Sequence, residues 1–165
     1  MQKVIKSNDL NRDLTNILES LAFDKLFILT DENTEKLCYP FLEKNEWVAK
    51  AGKIIIKAGD NNKNIESLSS IWKYLSENGA TRHSLLINLG GGMLTDIGGF
   101  AAATFKRGIK CINIPTTLLG AVDAAVGGKT GINFDGLKNE IGAFAPAETV
   151  LIDCASAYLS VTIPL

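Results

Sequence analysis

Residues 85–105, LLINLGGGMLTDIGGFAAATF, contain a short apolar run, three consecutive glycines and a segment that can form a helix. This order predicts a buried strand, a tight turn and a helix start. Glycine lets the main chain turn sharply and approach a ligand closely, because it has no Cβ. Amides at such a helix start bind anions, so the stretch predicts a phosphate-binding turn. The alternative is an ordinary strand–helix turn whose glycines serve packing.

Four further apolar runs have the length of strands and are rich in Ile, Leu and Val: residues 26–29, 54–56, 111–114 and 150–152. Their continuity is typical of strands buried on both faces of a parallel sheet. Between two of them, Ile65, Leu68, Trp72 and Leu75 recur at helical spacing before a stop at Asn78-Gly79. We therefore predict an α/β fold, a Rossmann-like variant with a mainly parallel sheet flanked by helices.

The bulk composition favours one globular domain. The chain has 165 residues, of which 46% are hydrophobic, enough to bury a core. Its 17 basic and 18 acidic side chains give a formal net charge of −1, which argues against a surface for nucleic acid or an anionic membrane. The sequence shows neither a membrane-spanning run nor, in the start MQKVIKSNDL, the apolar core of a signal peptide. We expect a cytoplasmic protein.

Cysteine and histidine usage argues against a metal site within this chain. Cys38, Cys111 and Cys154 are odd in number and widely separated, which fits neither a disulfide framework nor a paired-cysteine metal site. We expect them to be small buried apolar side chains. His83 is the single histidine, and its place just before an apolar run predicts a solvated residue.

The glycine turn departs from the dinucleotide fingerprint GxGxxG, because the last glycine would fall on Thr95. Asp96 and the pair Gly98-Gly99 nevertheless favour a nucleotide-binding turn. In the usual fold, the acid that binds ribose lies about 20 residues after the glycines. Here the best candidate, Asp60, lies before them, so we predict a variant strand order.

Residues 112–144 place isolated charged and amide side chains among glycine, alanine and small apolar residues. These side chains are Asp123, Lys129, Lys138 and Asn139. Isolated charges in such surroundings need partners or a ligand. Together with Arg107, the lysines offer cations to a phosphorylated or carboxylated polyol, and the Asp123 carboxylate can hold a hydroxyl or assist proton transfer. The alternative is a tightly packed segment whose charges point to solvent.

Three shorter signals have more than one interpretation. Gly128-Lys129-Thr130 resembles the end of a P-loop, but GxxxxGK[ST] requires glycine where Asp123 stands, which argues against an NTPase. Asp31 directly follows an apolar run and suits a helix N-cap. Thr116 and Thr117 can cap a helix, contact a phosphate at the same helix end, or do both.

Taken together, three segments resemble the dehydroquinate synthase family in their order and spacing. They are GGGMLTDIGGFAAATFKRG from residue 90, INIPTTLLGAVDAAVGGKTGIN from residue 112 and GLKNEIGAF from residue 136. GGKTG with KNEIGAF favours the dehydroquinate branch of the sugar-phosphate cyclases. The resemblance implies an NAD-dependent conversion of 3-deoxy-D-arabino-heptulosonate 7-phosphate to 3-dehydroquinate and phosphate in the shikimate pathway, with residues 1–165 as the NAD-binding N-terminal domain.

The resemblance also implies roles for individual residues. Those expected to contact the cofactor are Asp31, Asp60, Lys63, Gly91, Gly92, Met93, Thr95, Asp96, Thr116, Thr117, Lys129, Lys138 and Thr162. Those expected to act on the substrate are Asp123, Lys129, Asn139 and Arg107. In the family, the arginine that matches Arg107 reaches the substrate phosphate of a neighbouring subunit, which implies a homodimer. The family's zinc or cobalt is bound by a helical C-terminal domain that we expect to be absent here.

Two positions depart from the family pattern: Asp60 stands in place of a glutamate, and Thr95 in place of a glycine. Three other functions stay open. The first is another sugar-phosphate cyclase, one that makes an inosose or a valiolone. The second is a polyol dehydrogenase of the glycerol dehydrogenase type, which is not expected to carry VGGKTGIN and GLKNEIGAF. The third is a non-catalytic module that binds NAD without turnover.

Overall fold

The computed structural model describes residues 1–124 and 126–153. Its strands are β1 (Lys3–Ser7), β2 (Leu26–Asp31), β3 (Gly52–Ile56), β4 (Leu85–Gly90), β5 (Lys110–Pro115), β6 (Lys129–Phe134), β7 (Leu137–Phe144) and β8 (Thr149–Asp153). Its α-helices are α1 (Leu10–Ser20), α2 (Glu32–Leu37), α3 (Glu46–Ala49), α4 (Ile65–Glu77) and α5 (Gly92–Thr104). Short helical turns cover Tyr39–Phe41, Asp60–Asn62, Phe105–Arg107 and Gly120–Ala124. None of the helices in these ranges is long and apolar enough to cross a membrane.

Six strands form one parallel sheet in the order β1-β8-β5-β4-β2-β3. The direction in which strands are added to the sheet reverses at β2. Strand β3 pairs with one side of β2, and β4 pairs with the other side. Ligands of open α/β sheets bind beyond the carboxyl ends of the strands at such a switch point. The glycine turn follows β4, and the strand before Asp60 comes earlier in the chain, which confirms the predicted variant order.

The strands bury side chains on both faces. Leu26 and Ile28 of β2 pack in one apolar cluster with residues of α1 and α3, whereas Phe27 and Leu29 pack in a second cluster with residues of α4 and α5. All six residues of β2 are buried. Strand alternation therefore places apolar side chains in both layers, which explains the continuous apolar runs in the sequence.

The sequence predictions of regular structure are largely confirmed. Each predicted apolar run lies within a strand, and α4 covers the predicted helical repeat and ends at the C-cap Asn78. Several elements were not predicted, among them helices α1 and α3. The others are the edge strand β1 and the antiparallel hairpin of β6 and β7.

The hairpin adds a third layer over the middle of α5. Asp135 and Gly136 form its two-residue turn, with φ values of 52° and 76°, the left-handed pair that suits a tight hairpin. Ile132 of β6 is fully buried against the core beside α5. A Cβ at Gly99 of α5 would lie 2.6 Å from Cγ2 of Thr130, so the helix and the hairpin approach each other closely.

The described cysteines and the histidine have the predicted environments. Cys38 and Cys111 are buried and form no disulfide, and His83 is exposed just before β4. Burial raises the pKa of Cys38 to about 11 and that of Cys111 to about 12. Both therefore act as small apolar groups at neutral pH. Cys154 lies outside the described residues.

A buried asparagine pair fixes the distance between α5 and the sheet. Nδ2 of Asn88 on β4 donates to Oδ1 of Asn113 on β5 over 2.9 Å, and Asn88 is fully buried. Gly98 of α5 lies directly above, and a Cβ there would fall 2.1 Å from Oδ1 of Asn88. Only glycine fits at this position of α5, because a side chain there would overlap the asparagine pair.

We expect Gly98→Ala to destabilise the protein by about 2 kcal/mol, because overpacking against Asn88 outweighs the better helix propensity of alanine. Urea unfolding measures the change. Ser69→Ala, at an exposed position of α4, is the matched control and should change stability by less than about 0.5 kcal/mol. Equal stability of the two variants would contradict the proposed close contact.

Candidate functional site

The glycine turn opens α5 at the carboxyl edge of the sheet. Gly91 is the N-cap residue, and no side chain caps this helix. The main-chain amide of Thr116 donates to the carbonyl of Gly90 over 3.0 Å, which joins the ends of β4 and β5 beside the turn. The first turn of α5 therefore presents main-chain amides without a Cβ or a capping carboxylate in front of them, which suits an anion.

Asp31 ends β2 at the same edge and caps α2. Its Oδ1 accepts hydrogen bonds from the amides of Asn33 at 2.8 Å and Thr34 at 2.9 Å, and its own amide donates to the Thr34 hydroxyl at 3.0 Å. This reciprocal capping box confirms the predicted N-cap role. Burial and then the charge of Asp31 raise the pKa of Cys38, which lies buried nearby.

A buried lysine connects three elements beside the turn. Lys63 is 5% exposed, although it lies in the loop between β3 and α4. Its Nζ lies 3.2 Å from Oδ2 of Asp96 on α5 and 2.6 Å from Oδ1 of Asn139 on β7. It also lies 3.6 Å from Oδ1 of Asp60. A buried ammonium requires such partners, so Lys63 fixes the relative positions of these side chains.

Asp60 has partners on both sides. Burial disfavours its charged form, but a hydrogen bond from Asn133 and the charges of Lys63 and Lys138 together hold the pKa of this carboxyl below its usual value. Lys138 Nζ lies 3.5 Å from Oδ2 of Asp60. The Asp60 side chain is half-exposed, so an anionic carboxylate with oxygens accessible to a ligand stands at this edge of the sheet.

A cleft of about 520 Å³ lies between α5 and the hairpin, within the size range of small-molecule sites. Its lining includes Asp96, Lys129, Thr130, Gly131, Asn139, Gly142, Ala143 and Phe144. Three predicted site residues, Asp96, Lys129 and Asn139, thus meet in one cleft. Lys129 is exposed at the start of β6, where its ammonium can reach a bound anion.

Several predicted residues have structural roles. The Thr95 hydroxyl is buried and donates to the carbonyl of Gly92 over 3.2 Å, and Met93 packs against the core. The Thr117 hydroxyl accepts from the amide of Gly120 over 2.9 Å, which is the predicted capping interaction. Their roles in cofactor binding stay predictions. The side chain of Asp123 and the whole of Thr162 lie outside the described residues.

Arg107 lies apart from the Lys63 network. It follows α5, and about 12 Å of helix axis separates Asp96 from Thr104 at the end of that helix. Arg107 is exposed beside the start of β5. The expectation that Arg107, Lys129 and Lys138 bind one anionic ligand stays a prediction.

Asn133 is a site residue that the sequence analysis missed. It lies on β6 and contacts both Asp60 and Asn139. The only signal was its place at the end of VGGKTGIN, close to the predicted lysines. For metals, the described residues contain no group of three or more His, Cys, Asp or Glu that could hold an ion.

The parallel sheet with its glycine turn defines a Rossmann-like α/β domain. A family model described as 3-dehydroquinate synthase N-terminal matches residues 53–161. The chain is 60% identical over 153 residues to a 3-dehydroquinate synthase of Parabacteroides distasonis, which covers 93% of this chain and 43% of the relative. This chain belongs to the 3-dehydroquinate synthase family. It spans less than half the length of that relative.

Solved structures show the same fold. ValA, a 2-epi-5-epi-valiolone synthase from Streptomyces hygroscopicus with NAD⁺ and Zn²⁺ bound, has a TM-score of 0.83 at 29% identity, over 94% of this chain and 44% of that one. A 2-deoxy-scyllo-inosose synthase complexed with carbaglucose-6-phosphate, NAD⁺ and Co²⁺ has a TM-score of 0.82 at 22% identity, over 93% and 42%. The predicted family and fold are confirmed.

We expect Lys63→Met to destabilise the protein at pH 7 by about 1–3 kcal/mol, because Asp96, Asn139 and Asp60 lose a charged donor. The pKa of Asp60 is lowered in the folded state. The stabilisation linked to its ionisation is therefore present above the unfolded-state pKa of about 3.9 and is lost as the pH falls through the folded-state value. The difference from wild type should shrink between pH 7 and pH 3.

Urea unfolding at both pH values measures this difference. Lys73→Met is the control, since Lys73 lies in an exposed pair 3.9 Å from Glu77 and contributes little. A loss at Lys63 no larger than that at Lys73, or a loss independent of pH, would contradict the role of the buried ammonium.

Proposed function

We propose that this chain is the NAD-binding half of a 3-dehydroquinate synthase, which converts 3-deoxy-D-arabino-heptulosonate 7-phosphate to 3-dehydroquinate and phosphate. The observation that carries the proposal is the meeting of Asp96, Lys129 and Asn139 in one cleft between α5 and the hairpin. The family membership supports the reaction class. By the same resemblance, residues 1–165 form the NAD-binding domain of a cytoplasmic homodimer.

The residues at the carboxyl edge fit NAD. The first turn of α5 offers amides to the pyrophosphate, and the glycines leave room for its approach. Asp60 carries an anionic carboxylate that can accept hydrogen bonds from ribose hydroxyls. Asp31, which ends the strand at the switch point, and Thr116 stand on either side of the turn. When bound, NAD supplies the removal and return of a hydride.

The cleft residues fit an anionic polyol. The Lys129 ammonium can bind a phosphate or carboxylate, and Asn139 offers an amide to hydroxyl groups. In the proposal, Lys138 and Arg107 add positive charge, with Arg107 serving the site of a second copy. Asp123 holds a substrate hydroxyl. None of the described residues is assigned to the family's metal.

A second candidate is a cyclase for another sugar phosphate. The fold similarity to ValA, at 29% identity, favours this class. The two functions differ in substrate. A chimera that joins this chain to the part of the Parabacteroides distasonis relative that it does not cover would release phosphate from 3-deoxy-D-arabino-heptulosonate 7-phosphate under the first proposal. Release from another sugar phosphate, with none from 3-deoxy-D-arabino-heptulosonate 7-phosphate, would favour the second.

We expect calorimetric titration of the chain with NAD to show binding, and Gly91→Val to weaken it at least about tenfold, because a side chain there blocks the approach of the pyrophosphate. A Cβ at Gly91 already lies 3.0 Å from Cγ2 of Thr117. Ala103→Val, near the other end of α5, is the matched control and should leave the affinity unchanged. Unaltered affinity in Gly91→Val would exclude the pyrophosphate assignment.

We expect Lys129→Ala in the chimera to reduce phosphate release by at least about 100-fold, because a charged contact to the substrate is lost from the reacting complex. The side chain is exposed at the start of β6, so stability should be almost unchanged. Steady-state kinetics and thermal unfolding test the two expectations together. Lys73→Ala serves as the control, and normal turnover in Lys129→Ala would remove this lysine from the site.

A further inference from the structure

Asn133 binds two parts of the site at once. Its main-chain amide donates to the carbonyl of Lys63 over 2.8 Å. Its side-chain Nδ2 donates to the carbonyl of Asp60 at 3.1 Å and to Oδ2 of Asp60 at 3.2 Å. Its Oδ1 accepts from the main-chain amide of Asn139 at 3.0 Å. The side chain therefore uses its donor toward one loop and its acceptor toward the other strand.

The contact with Asn139 restrains an unfavourable backbone. Asn139 has a φ of 53°, in the left-handed region that non-glycine residues adopt at a cost. The hydrogen bond from its amide to Asn133 holds this conformation. Lys63 contacts only the side chain of Asn139, at 2.6 Å. The main-chain position of Asn139 thus depends on Asn133, and its side-chain position on Lys63.

The contact with Asp60 orients a carboxylate. Lys63 approaches Oδ1 of Asp60, while Asn133 and Lys138 approach Oδ2. Lys138 is 80% exposed, so its ion pair is weak. The Asn133 amide is a less mobile donor than this lysine, because its side chain is also bound to Asn139. It fixes the rotation of the Asp60 carboxylate.

We propose that Asn133 is a positioning residue that couples the cofactor side of the site, through Asp60, to the substrate side, through Asn139. This inference rests on the proposed function for the roles of those two residues. Asn133 itself contacts neither ligand in the proposal. It sets the distance and orientation between the groups that do.

The substitution Asn133→Asp separates the two contacts. Aspartate keeps an oxygen that accepts from the Asn139 amide, but it cannot donate to Asp60 and places a second negative charge beside it. The charged groups around this pair are Asp60, Lys63, Lys138 and, beyond Lys63, Asp96. We expect NAD affinity to fall about tenfold at pH 7 and to recover toward pH 5. The kcat for phosphate release in the chimera should stay within about twofold of that of the unsubstituted chimera.

The substitution Asn133→Ala removes both contacts. We expect the dissociation constant for NAD to rise about tenfold and kcat for phosphate release in the chimera to fall about tenfold. In a chain that already carries Asp60→Asn, Asn133→Ala should cause no further rise in the dissociation constant for NAD. In a chimera that already carries Asn139→Ala, Asn133→Ala should cause no further fall in kcat. Asn62→Ala is the control, because Asn62 donates within its own loop to the carbonyl of Ala58 at 2.7 Å.

Hydrogen exchange at the Asn139 amide gives a readout that needs no ligand. The amide should exchange slowly in wild type and in Asn133→Asp, and at least about tenfold faster in Asn133→Ala. Failure of the wild type to bind NAD would count against the proposed function, and the exchange rates would still test the role of Asn133. The inference would be overturned if the Asn139 amide exchanged equally fast in wild type and in Asn133→Ala. It would also be overturned if Asn133→Ala weakened NAD binding by the same factor with Asp60→Asn present as without it.

Discussion

The buried ammonium of Lys63 is the interaction on which the rest of the site depends. It contacts Asp96 on α5, Asn139 on the hairpin and Asp60 in its own loop, so three chain segments meet at one charge. A lysine that is 5% exposed is costly to desolvate and is retained only where its partners compensate. Because those partners come from separate elements, the charge also specifies how the hairpin packs against α5.

The sheet topology determines where these elements can meet. Parallel strands place all their carboxyl ends at one edge of the sheet. Because the order of added strands reverses at β2, the ends of β3 and β4 lie on either side of the end of β2. Without the hairpin, α5 and the loop after β3 would form an open edge. The hairpin covers that edge and supplies Lys129 and Asn139, so the same segment that buries Ile132 also completes the cleft.

The sequence predicted those features that depend on local pattern. Apolar runs located the strands, glycines located the turn, and Asp31 was identified as a cap because capping involves neighbouring residues. The hairpin was missed although Asp135-Gly136 is a strong turn signal, since β7 is exposed at nearly every position and shows no apolar alternation. Asn133 was missed because its partners lie 73 and 6 positions away. A pairing across 73 positions leaves no periodic pattern in the sequence.

Arg107 shows how distance within one chain bears on assembly. Lys106 and Arg107 have φ values of 47° and 69°, two consecutive left-handed residues without glycine. Such backbone costs about 1–3 kcal/mol per residue and is concentrated at functional sites. The strain lies at the end of α5 opposite the glycine turn, where Arg107 is exposed and separated from the Lys63 network of its own chain. An arginine held there at a cost in stability is suited to a ligand outside its own cleft, which supports the proposal that a second copy of the chain receives it.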